Sequence, residues 1–94
     1  MNNAPSNFPA YSRVKHWVEA YGKAGLPDQR AVHDFMSCEA QETIASLRAE
    51  LIAMSQARFD PQILDQIVGP NRKVVYNGYD GWAKMMLLWL ARPA

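Results

Sequence analysis

The sequence predicts an all-α fold, a compact bundle of about five helices. Apolar residues recur at helical spacing along most of the chain. Proline and glycine fall between those periodic stretches or at their ends rather than in their middles. The one strand-like run, Val74-Val75-Tyr76, has no partner strand after the Asn77-Gly78 turn signal. The chain has 94 residues, the size of one domain. Residues 1–10 read as an extended or disordered lead, with Pro5 and Pro9 opposing helix, and 11–94 as a single helical domain.

The first helix is expected over 12–23. Val14, Trp17, Val18 and Tyr21 stand at i, i+3, i+4 and i+7, while Lys15, Glu19 and Lys23 share the opposite side. Ser12 is the expected N-cap, and Gly25-Leu26-Pro27 the stop. From Asp28 to Arg58 the apolar phase changes. Val32, Phe35 and Met36 mark one face, and Ile44, Leu47, Leu51 and Met54 mark another, roughly 80–100° away at ~100° per residue. Two helices, 28–36 and 39–58, satisfy both faces, with Ser37 capping the second. One continuous bent helix is the alternative. Ala45, Ala49, Ala53 and Ala57 form an i+4 ladder, which reads as surface alanine or as a row that admits a close helix.

Asp60 as cap, Pro61 at the first helical position and Gly69-Pro70 as terminator delimit a short helix over 61–68. Residues 70–80 read as an extended aromatic loop, and Asp80 as the N-cap of a last helix over 81–91. That last helix is the least ordinary. Trp82, Met85, Met86 and Trp89 centre its apolar stripe, which Leu87, Leu88 and Leu90 widen to roughly 260° of the circumference at ~100° per residue. Only Lys84 and Ala91 occupy the remaining arc. A run of this length is about half of the ~20 residues a membrane span requires. A helix apolar nearly all round is buried. It therefore either runs through the middle of the bundle or faces the core on one side and a second subunit on the other.

Composition narrows function by exclusion. Ten Lys and Arg against nine Asp and Glu give a formal net charge of +1, too little to draw the chain onto nucleic acid or an anionic membrane. A single cysteine, Cys38, favours a reducing compartment, and the opening residues have neither the basic nor the apolar region of a secretory leader. The expected location is the cytoplasm.

Candidate chemistry is sparse. Cys38 with His33 and His16 is the one constellation suited to nucleophilic catalysis, but five residues separate His33 from Cys38, about 500° around a helix. A buried, inert thiol is the expectation for Cys38. Two histidines and one cysteine make no zinc-ligand spacing, and the glycines are isolated rather than grouped as a phosphate loop. No metal or cofactor is expected. The segments 12–23 and 28–36 have helix-turn-helix lengths, yet Asp28 and Asp34 outweigh Arg30 on the second.

Two surfaces remain. The loop supplies a binding candidate in Arg72, Lys73, Tyr76, Asn77 and Tyr79, adjacent cations interleaved with aromatics. The last helix supplies an interface candidate in Trp82, Met85, Met86, Leu88 and Trp89. The functional expectation is a non-catalytic protein–protein interaction, homodimerisation through the C-terminal helix above all, or contact with another protein. A small enzyme or ligand-binding protein using Cys38 and His33 or the 71–82 loop is the rival, and a weak DNA binder the third reading.

Overall fold

Trp17, Phe35, Leu47, Leu51, Trp82 and Met86 are fully enclosed in one apolar core, and the helices are arranged around them. The computed structural model describes residues 11–23 and 25–91; the lead expected over 1–10 lies outside the described residues. The order is α1 (Ser12–Trp17), a π-helical turn (Val18–Gly22), α2 (Asp28–Cys38), α3 (Gln41–Ser55), α4 (Pro61–Ile67), α5 (Pro70–Val75) and α6 (Tyr79–Ala91). Among the described residues there is no strand.

The first helix begins differently from its sequence expectation. Ser12 is already helical, and the preceding Tyr11 turns left-handed with φ 59°. The cap comes from far along the chain. The Glu50 carboxylate on α3 accepts from the backbone N–H groups of Arg13 (3.1 Å) and Val14 (2.9 Å). An anion there also meets the positive end of the α1 dipole. Buried Tyr11 ties the same end to α4, its hydroxyl accepting from the Asp60 N–H at 2.8 Å. The helix then widens into its π turn, which ends at Gly22. A Cβ on Gly22 would lie 2.8 Å from the Trp17 ring, so the missing side chain is what lets the wider turn close over the indole.

The phase change after Met36 is a true break. Glu39 and Ala40 are extended, with ψ 156° at both, and separate α2 from α3. Ser37 does not cap α3. Helix α2 continues through it to Cys38, and its hydroxyl donates back to the His33 carbonyl (3.0 Å). Helix α3 stops at Ser55, short of the expected 58, where Ala57 adopts the left-handed region with φ 62°. Ala45, Ala49 and Ala57 are exposed, so the alanine ladder lies on the surface. Helix α4 forms as its sequence dictates, with Asp60 Oδ1 accepting from the Gln62 N–H (2.9 Å) and Pro61 in the first turn.

The loop expected over 70–80 is largely helix. Gly69, with φ 102°, reverses the chain, and Pro70 starts α5 instead of merely ending α4. Asn77 (φ 60°) and Gly78 (φ 113°) then make the tight left-handed turn that Asn-Gly favours, but it links two helices rather than two strands. Asp80 is not the cap of α6. The helix starts at Tyr79, and the Gly78 carbonyl accepts the Trp82 N–H at 3.0 Å.

Helix α6 packs along α3 and α2, with α5 against it, and buries Tyr79, Trp82, Ala83, Met86, Trp89 and Leu90, while Lys84, Leu88 and Ala91 along one side are exposed. Trp17 and Trp82 meet with ring centroids 5.9 Å apart. Leu88 points outward at 44% exposure. Among the described residues no helix is long and apolar enough to cross a membrane.

Close approach at one glycine sets how α5 sits on α6. A Cβ on Gly81 would run into the Tyr76 carbonyl oxygen. In an open helix Gly→Ala gains up to about 1 kcal/mol of propensity. Here Gly81→Ala is expected to lower stability by about 2 kcal/mol, an overpacking penalty, as read by urea denaturation monitored by circular dichroism.

Candidate functional site

The site begins with Arg72, the third residue of α5. Its guanidinium forms a bidentate pair with Asp28, Nε to Oδ2 and Nη2 to Oδ1, both at 2.9 Å. Nη2 also donates to the Gly22 carbonyl (2.9 Å) and Nη1 to the Val68 carbonyl (3.2 Å). The Trp82 indole N–H completes the Asp28 carboxylate at 3.0 Å, and the guanidinium lies 5.5 Å from the Trp17 ring centroid. One cation thus joins the end of the π turn, the start of α2, the end of α4 and, through Asp28, the first turn of α6. Asp28 opens α2, where the helix dipole favours a carboxylate. The pair is nearly closed to solvent, with side-chain exposures of 18% and 9%.

The other residues of the sequence-derived binding candidate divide. Lys73 Nζ approaches Asp65 Oδ1 at 3.4 Å and lies 5.8 Å from the Tyr79 ring centroid. Tyr79 is buried and donates to the same Asp65 oxygen at 2.5 Å. Tyr76 is half-buried, its ring edge-on to Trp89 at 6.3 Å. Asn77 is exposed at the turn. Arg72 and Lys73 are therefore not free cations flanking an aromatic loop; each is held by a carboxylate of its own bundle. In the interface candidate, Trp82, Met86 and Trp89 are buried in the chain's own core, Met85 is half-buried, and Leu88 is exposed.

Two surface features of α5 were not singled out from the sequence. Asp28, Val68, Gly69, Asn71, Arg72, Val75 and Tyr76 line a cleft of about 360 Å³ with the ion pair among its walls. Beside it, Val74 and Val75 stand 78% and 73% exposed. Reading 70–80 as a loop hid both, since it is a helix over 70–75 that sets Arg72 against Asp28 and leaves the two valines exposed. Asp28 is the acidic first-turn residue of α2, and its partner lies 44 residues away, beyond any local pattern.

A second polar cluster lies at the α2–α3 break. Glu39 Oε2 accepts from the Tyr21 hydroxyl (2.5 Å) and faces His16 Nε2 at 3.1 Å. Those bonds, Tyr21 first, hold the Glu39 carboxyl below its ordinary value, and Tyr21 is in turn pushed up to about 12. Cys38 is exposed next to this cluster, not buried as expected: it is the last residue of α2, where the chain leaves the helix for the extended Glu39-Ala40 break. His33 does not join it. Among the described residues no hydrogen bond links His33 to Cys38, and His33 Nε2 is buried without a partner. No three His, Cys, Asp or Glu side chains there are grouped to hold a metal ion.

Comparisons with known protein families, curated proteins and solved structures find no match for this chain.

Removing one member of the central pair leaves a desolvated charge behind. Arg72→Met is expected to cost about 3 kcal/mol in urea denaturation, with Asp28→Asn similar. The double variant is expected to lose less than the sum by at least about 1 kcal/mol, the signature of direct coupling.

The tyrosines give a pH test. Burial raises Tyr11, Tyr76 and Tyr79, and Asp65 raises Tyr79 further, while the bond to Glu39 dominates at Tyr21. Each contributes stability that is complete below its ordinary value of 10.0 and is lost as pH climbs through the higher folded value. Depressed Glu39 and Asp65 act oppositely: their contribution is present above their ordinary 4.5 and 3.8 and disappears as pH falls further. Tyrosinate absorbance above pH 10 is expected to rise together with the loss of helical circular dichroism. Ionisation of all four tyrosines near 10 with helicity intact contradicts this.

Proposed function

We propose that this protein works by protein–protein interaction in the cytoplasm, and that its first partner is a second copy of itself. The observation that carries the reading is the pair Val74 and Val75, 78% and 73% exposed on a helix that buries no residue of its own. β-Branched residues are poor choices for a short solvated helix, because the preceding turn restricts their χ1. Two in succession on the surface cost helix stability and apolar hydration unless another chain covers them.

Charge favours a like partner. The cations of α5 are internally balanced, Arg72 by Asp28 and Lys73 by Asp65. With a formal net charge of +1, two copies have little repulsion to overcome. Leu88 is the exposed member of the C-terminal interface candidate, since Trp82, Met86 and Trp89 are already engaged in the core.

Light scattering over a concentration series tests this. The mass is expected to rise from the 10.6 kDa monomer toward twice that value. Val74→Lys is expected to shift the midpoint at least about tenfold to higher concentration, as loss of a central interface contact does. Leu88→Lys reports whether α6 shares the face. A strict monomer at every concentration contradicts the proposal.

A further inference from the structure

We propose that Asn77-Gly78, the turn between α5 and α6, is a self-modification site whose asparagine deamidates through a cyclic imide once α5 opens. The step draws on water alone and does not rest on self-association. The fold itself puts the reactive pair here. Asn77 is the left-handed residue that ends α5 (φ 60°), a conformation that asparagine tolerates and most side chains do not. Gly78 follows with φ 113°, and a Cβ on it would lie 2.7 Å from Asp80 Oδ1, so a side chain is disfavoured on both counts. The turn thus favours asparagine followed by glycine, and glycine presents the least hindered backbone nitrogen to the asparagine side chain. Asn77 is exposed, so water reaches it.

The chemistry balances without oxidant or reductant. The Gly78 nitrogen gives up its proton to solvent and attacks Asn77 Cγ. The bond from Cγ to Nδ2 breaks and ammonia leaves, which closes the imide ring. Water then adds to either imide carbonyl and breaks its bond to nitrogen. Opening at the side-chain carbonyl gives aspartate. Opening at the backbone carbonyl gives isoaspartate, in which the main chain runs through the former side chain.

The cap of α5 blocks the first of these events. Gly78 N–H donates to the Lys73 carbonyl at 2.7 Å and Asn77 N–H to the Val74 carbonyl at 3.4 Å, the paired bonds of a Schellman cap. The attacking nitrogen is therefore committed, its proton directed into the helix end rather than to solvent. The Asp80 carboxylate beside Gly78 adds a negative charge that opposes deprotonation. Attack requires Gly78 to let go of Lys73, and Lys73 is the neighbour of Arg72, the residue paired with Asp28. Opening of α5 thus gates the reaction, and the products keep the helix open. Isoaspartate lengthens the turn by a backbone methylene, and either product places a carboxylate at the negative end of the helix dipole.

Peptide mass spectrometry of the full chain at neutral pH follows conversion of Asn77, folded and in denaturing urea. Deamidation is slow against helix opening and closing, so its rate tracks the population of open α5. The folded chain is expected to convert at least about a hundredfold more slowly than the unfolded one. Arg72→Met is expected to raise the folded rate at least about tenfold. Where that variant does not fold, the wild-type chain decides, because exchange of the Gly78 N–H is expected to be slowed by the same factor as deamidation. The isoaspartyl product, separated by ion exchange, is expected to lose amide protection over 74–78 while α3 keeps its own. No conversion in urea, equal rates in the folded and unfolded chains, a folded Arg72→Met that converts no faster, Gly78 exchange slowed by a different factor, or an isoaspartyl chain with α5 still protected overturns the proposal.

Discussion

The bidentate pair of Arg72 with Asp28 is the constraint on which the arrangement of this bundle depends. Helix α5 is six residues long and buries no apolar side chain, so neither propensity nor an apolar face holds it in place. What holds it is one guanidinium that reaches the carbonyls of Gly22 and Val68 and the carboxylate of Asp28. Those partners lie on three other segments, and the Trp82 indole adds α6 to the same carboxylate. Charge-assisted bonds in a nearly dry setting are strong only when every donor has a partner, and here four of the five guanidinium hydrogens do.

Several features of the molecule follow from that fixed point. With α5 pinned, Tyr76 lies over Gly81 and meets Trp89, and α6 is covered on the side that α2 and α3 leave open. Most of the apolar stripe of the last helix is thereby covered by its own chain, with Leu88 left out. Among the large apolar residues that remain in water, Val74 and Val75 are by far the most exposed. The same pin forms the polar side of the cleft. The ion pair and the exposed valines belong to the same six-residue helix, which ties partner contact at α5 to the stability of the whole bundle.

Much of the fold was legible because its signals are local. The stripe of Val14, Trp17 and Val18, the Asp60-Pro61 start and the phase change after Met36 each follow from spacing a few residues wide. The failures share a cause as well. Ser12 was read as a cap because cap rules look at near neighbours, whereas the carboxylate that serves α1 belongs to Glu50. Pro70 was read as a terminator because it follows Gly69, yet the same proline suits the first turn of a new helix. Val74 and Val75 ahead of Asn-Gly carry a strand-like local preference, which tertiary anchoring of Arg72 overrides. The candidate site was therefore half visible: Arg72, Tyr76 and their neighbours could be singled out, but Asp28 and the direction of the valines depended on long-range geometry.

The central claim is that α5 is held by its ion pair as firmly as the core, although it contributes no buried apolar side chain. Native-state hydrogen exchange tests it most directly, through the helical amides of 74–76 and the Trp82 indole N–H. The account predicts opening free energies for these groups within about 1 kcal/mol of global unfolding, shared as one cooperative unit with α2 and α6. Fast exchange of the α5 amides by local fraying, while α3 and α6 stay protected, contradicts it.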